Sequence, residues 1–105
     1  MRKPDLFANV SLYLPDFGGR TKPVTSDFRV PCMVSRTASN AWDVRMYFDG
    51  GPIHAGETRS VGLLFLTSEG EQAIRNAGHF FIWEGRIVGE GDVCTEEAAL
   101  SKVVT

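Results

Sequence analysis

Two histidines, His54 and His79, and two cysteines, Cys32 and Cys94, carry most of the nucleophilic, acid–base and metal-binding potential of the chain, so their arrangements can be enumerated. A serine or cysteine nucleophile needs a base within hydrogen-bond reach and an acid to orient that base. No such triplet stands close in sequence. Zinc would have to draw on Cys32, His54, His79 and Cys94, whose gaps of 22, 25 and 15 residues lack the paired short spacings of structural zinc sites. His79 precedes Phe80 and Phe81 and reads as a half-buried packing residue, and His54 reads as an exposed loop residue. Only a small-molecule pocket at a barrel mouth, bringing His54, His79 and Asp92 together, would keep an enzymatic role open.

Carboxylate pairs occur as Glu69/Glu71, Glu90/Asp92 and Glu96/Glu97, all in polar segments where solvent does not separate their pKa values. No glycine-rich turn ends in the Gly-Lys-Ser/Thr of a phosphate-binding loop, and Gly85, Gly89 and Gly91 surround a hairpin rather than precede a helix. The chain is therefore expected to be no enzyme, with no cofactor, metal or nucleotide. Both cysteines are expected to be reduced, half-buried strand residues.

The cations offer binding rather than catalysis. Eight arginines stand against three lysines, a balance that suits bidentate contacts to phosphate or carboxylate and that genomic codon bias also produces. Residues 1–36 carry a net charge of +3, and the stretch from Glu84 onward carries −3. The overall charge of −2 argues against a dedicated nucleic-acid binder. No apolar run reaches the roughly 18 residues that span a bilayer, and no signal-peptide segment follows the basic start, so a cytoplasmic protein without a membrane partner is expected.

Apolar and polar residues alternate in six blocks separated by Gly, Pro, Asp and Asn, the pattern of an antiparallel sheet with one buried face. The blocks are 6–14, 28–34, 42–48, 58–67, 79–83 and 86–93. Pro31 marks an edge or bulge in the second. Leu63, Leu64, Phe65 and Leu66 suggest cover on both sides of the fourth. Glu84-Gly85 fits a two-residue hairpin between the last two strands. Gly89 and Gly91 alternate in the sixth strand, as closure of a barrel requires. One helix is expected after Ser68, with Ser68 as cap, Glu71 completing a capping box, an apolar face of Ala73, Ile74 and Ala77, and Gly78 as stop. Leu100, Val103 and Val104 would give a short C-terminal helix an apolar edge. The chain of 105 residues reads as one domain, barrel 3–93 and tail 94–105.

Three segments, in order, carry a resemblance. Lys3-Pro4-Asp5-Leu6-Phe7-Ala8-Asn9-Val10 is followed by Gly18-Gly19-Arg20-Thr21-Lys22-Pro23 with Phe28-Arg29, and the chain closes on Glu84-Gly85-Arg86-Ile87-Val88-Gly89-Glu90-Gly91. Together they resemble the C-terminal barrel domain of translation elongation factor Tu, here as a small free-standing protein. The resemblance implies a six-stranded antiparallel closed barrel that contacts RNA and protein. It also implies tRNA-facing roles for Arg20, Arg29, Asn40 and Gly85, with Arg36 and Arg86 as adjacent cations. A module docking a protein partner is the leading expectation, with RNA binding through the arginines as the alternative.

Overall fold

The computed structural model describes residues 3–99. It contains β1 (Leu6–Leu12), β2 (Phe28–Met33), β3 (Trp42–Tyr47), β4 (Thr58–Phe65), the helix α1 (Ser68–Ala77), β5 (His79–Trp83) and β6 (Ile87–Cys94). Neighbouring strands are antiparallel in the order β1-β4-β3-β2-β5-β6, and β6 pairs back onto β1 to close a barrel. The six alternating blocks are the six strands. Inward residues of β1 (Leu6, Ala8, Val10, Leu12) meet Val30 and Cys32 of β2, Val44 and Met46 of β3, Val61, Leu63 and Phe65 of β4, and Phe80 and Ile82 of β5 in one core. The period of two along each strand is what sends one face into that core.

Both ends of the barrel are plugged. At the end where β1 finishes and β4 begins, Val24 and Ile53 exchange two backbone hydrogen bonds of 2.8 Å and bury their side chains. At the other end, the connection from β4 to β5 is α1, whose Ile74 is fully buried.

The helix starts one residue earlier than its Ser-x-x-Glu signature suggests. Thr67, not Ser68, is the cap: its hydroxyl accepts the Gly70 amide at 3.1 Å, and Glu71 instead pairs with Arg75 one turn on. The buried face is Gly70 and Ile74, while Ala77 is exposed. A Cβ on Gly70 would come within 3.0 Å of the Trp42 Cβ, so the missing side chain lets the helix sit against β3.

Other expectations shift locally. Leu66 lies past the end of β4 and is 65% exposed, so cover on both sides does not extend to it. Cys32 is fully rather than half buried, and burial pushes its thiol pKa far up; Cys94 is half-buried, and neither forms a disulfide. The β5–β6 connection has three residues, Glu84 to Arg86, not two, with Gly85 at φ 75°. Ile82 pairs with Gly89 but Trp83 with Ile87, so Val88 is the extra residue of a bulge. Pro31 pairs opposite Asp43 on β3, whereas the β2–β5 seam consists of Cys32↔Ile82 and Met33↔Phe81 alone. A proline, which has no amide to donate, thus stands where that seam ends.

Beyond β6, residues 96–99 form a helical turn, with Thr95 Oγ1 accepting from the Ala98 amide at 3.1 Å and Ala99 buried. Leu100, Val103 and Val104 lie outside the described residues.

Candidate functional site

The six residues singled out for binding are dispersed among three settings and one loop. Arg20, Gly85 and Arg86 share a corner. Arg86 donates to the carbonyls of Gly18 at 2.6 Å and Gly19 at 3.1 Å, fastening the loop after β1 to the last hairpin. Arg20 donates to the Lys22 carbonyl, pairs with Glu84 at 3.0 Å and lies 4.8 Å over the Phe28 ring. It thereby bridges β2 and the β5–β6 connection where their direct pairing has stopped. A shallow cavity of about 290 Å³ lined by Arg20, Lys22, Glu84 and Arg86 remains, with two of its cations already hydrogen-bonded within the chain.

Arg36 belongs to a second setting, on the outside of β5 and β6. Its guanidinium is 4.8 Å over Phe81 and 5.9 Å over Tyr13, donates to the Tyr13 hydroxyl at 3.0 Å and stands 3.7 Å from Glu90. Tyr13 in turn donates to Glu90. His79 faces Asp92 through Nδ1 at 2.6 Å and Glu90 through Nε2 at 3.5 Å. Burial first, and then the Glu90 carboxylate, raise the Tyr13 pKa above its ordinary 10.0. A raised folded value means that the phenol's contribution to stability is complete below pH 10.0 and is lost as pH rises through the folded value. Absorbance titration of the phenolate band should therefore show a tyrosine that ionises above 10.0 and vanishes in Tyr13→Phe; ionisation at or below that pH would contradict the network.

Arg29 stands apart from both. On the outer face of β2–β3–β4 it is directly opposite Arg45, which is directly opposite Leu64. Among the described residues Arg29 has no hydrogen bond, ion pair or ring contact, and it is exposed. Arg45 has Asp27 at 3.8 Å; the Tyr47 hydroxyl and then Asp27 raise its pKa further. Arg29, Asp43, Arg45, Tyr47, Leu64 and Leu66 line an open cavity of about 490 Å³. Arg29, Asp43 and Arg45 are exposed and alternate with buried Val30, Val44 and Met46, as the period of two along a strand requires. That Arg29 faces Arg45 depends on strand pairing, which no single-strand pattern carries.

Asn40 is exposed in the loop between β2 and β3. His54 and His79 do not share a pocket: His54 follows Ile53 at the Val24 end of the barrel, and His79 follows α1 at the other. Asp92 pairs with His79 alone of the two. Among the described residues no group of three or more His, Cys, Asp or Glu side chains gathers as a metal site. Arg59, overlooked in the sequence, proves structural. It donates to the carbonyls of Asp49, Gly51 and Pro52 at 3.0–3.2 Å and so holds the turn after β3.

No protein-family model matches the chain, and no curated protein matches it. The class that the fold defines is the six-stranded antiparallel closed barrel with a short helix between its fourth and fifth strands.

Proposed function

We propose that this protein is a non-catalytic binding module, similar to the C-terminal barrel domain of elongation factor Tu, and that it docks a protein partner on the outer face of β2–β3–β4. The observation that carries this reading is the juxtaposition of Arg29, Arg45 and Tyr47 with Leu64 and the 65% exposed Leu66 around one open cavity. Arginine and tyrosine next to an apolar centre are the composition of protein-interface hot spots. In support of a non-catalytic reading, both ring nitrogens of His79 face carboxylates rather than a nucleophile, and Cys32 is sealed in the core as a thiol.

RNA binding through Arg20, Arg29, Arg36 and Arg86 has less support. These cations lie in three settings, and Arg20 and Arg86 are engaged in holding loops. The test is affinity capture from lysate with the tagged chain and with Arg29→Glu/Arg45→Glu, each with and without ribonuclease. A protein retained at least tenfold better by wild type, and insensitive to ribonuclease, is the expected result. Capture that ribonuclease abolishes would favour RNA, and equal capture by the variant would place docking elsewhere.

A further inference from the structure

The docking reading leaves open what the partner presents, and the face itself is specific about that. Two cations directly opposite each other on neighbouring strands repel, and such pairs destabilise a sheet. Here Arg29 and Arg45 occupy such a pair with one described counter-ion between them, Asp27, at 3.8 Å from Arg45. Among the described residues Arg29 has no ion pair of its own, so it is the guanidinium left to pair with a group from outside. Guanidinium planes match a carboxylate through two parallel hydrogen bonds, which an external acid group can supply to this pair.

The rest of the lining narrows the ligand. Leu64 and Leu66 stand beside the arginines, and Leu66 exposes 65% of its surface. Asp43 is on the same wall and Asp27 close by, so a polyanion such as an RNA strand would bring phosphates against two carboxylates. A single carboxylate set between the two guanidinium groups brings one negative charge instead of a row of them and meets less of that opposition. A volume of about 490 Å³ falls within the range of pockets that take small groups, roughly 300–1,000 Å³, and so suits a few side chains rather than a whole domain. At β3 strand addition is closed off, because that strand is paired on both edges, by β2 and by β4. Recognition at Arg45 and Leu64 therefore runs through side chains.

We infer that the Arg29–Arg45 face takes a protein segment carrying an aspartate or glutamate next to a large aliphatic or aromatic residue, its carboxylate bridging the two guanidinium groups and its apolar side chain covering Leu64 and Leu66. This rests on the docking reading above.

Display of random peptides on phage, selected on the immobilised full-length chain and counter-selected on Arg29→Glu/Arg45→Glu, tests it. Both proteins are first compared by circular dichroism; if the double variant is not folded, Arg29→Gln/Arg45→Gln replaces it. The expected outcome is a consensus pairing Asp or Glu with Leu, Ile or Phe. A synthetic consensus peptide should then bind wild type at least tenfold more tightly than either its Asn/Gln analogue or the variant allows. Neutral or basic peptides that still depend on this face would overturn the inferred chemistry while leaving the docking reading intact. Failure to enrich any peptide on wild type over the variant would overturn the inference, with lysate capture judging the broader reading separately. A single-stranded RNA oligonucleotide that binds with the same arginine dependence and displaces the peptide would assign the face to RNA instead.

Discussion

Gly91→Val should lower the urea midpoint of unfolding by about 2 M, which corresponds to about 3 kcal/mol for an m value near 1.5 kcal/mol/M. A Cβ at Gly91 would lie 2.3 Å from Cζ of Phe80 and within 2.9 Å of two further ring atoms, closer than carbon atoms approach. Phe80 is directly opposite Gly91 in the β5–β6 ladder, and its ring is fully buried. The ring therefore has nowhere to swing. Gly89→Val should act in the same direction, because a Cβ there meets the Ser11 carbonyl oxygen at 2.7 Å across the β6–β1 closure. Unchanged midpoints in both variants would mean that the two glycines are not what lets the barrel close.

Phe80→Ala should be more damaging, at about 4 kcal/mol, the usual range for deleting a buried aromatic ring. The lost ring leaves a cavity that β6 cannot fill, since the residue facing it is a glycine. The two substitutions should also be strongly non-additive. Removing the ring creates the space that a valine at position 91 lacks, so Gly91→Val in the Phe80→Ala background should cost about 1 kcal/mol or less. Urea titrations of the two single variants and the double variant, followed by tryptophan fluorescence, measure this cycle. Additive losses would show that the valine clashes with something other than the ring.

Much of this barrel is written in local patterns. Alternation from Leu6 to Leu12 specifies an inward face because the side-chain period of a strand is two, and a register slip would turn every residue outward. The spaced glycines of β6 announced closure through their missing side chains alone. Helix boundaries were nearly legible; Thr67 displaced Ser68 as cap because both residues have the hydroxyl that the role requires.

The candidate site was harder to read for a physical reason. Arg29 and Arg45 are 16 positions apart and became a pair only through the β2–β3 register. Arg20, Arg59 and Arg86 look identical to Arg29 in sequence. Their partners are backbone carbonyls of loops, and the path of a loop leaves no periodic trace. The cavity beside Leu66 depended in the same way on where β4 stops, which alternation extended by two residues.

The ring of strands is also unequal around its circumference. Five of its six joins run over four to six paired positions, whereas β2 and β5 meet at Cys32↔Ile82 and Met33↔Phe81 only, with Arg20 spanning the gap beyond through Phe28 and Glu84. Backbone hydrogen bonds at such a join have few neighbours to open against, so local fluctuations should begin there. In amide hydrogen exchange the protection factors would then form a gradient around the barrel, lowest beside the β2–β5 join and highest across β4 and β1. The closed cylinder would behave in its rare openings as a six-stranded sheet whose temporary edges are β2 and β5, and β2 carries Arg29, so the docking face and the parting line share a strand.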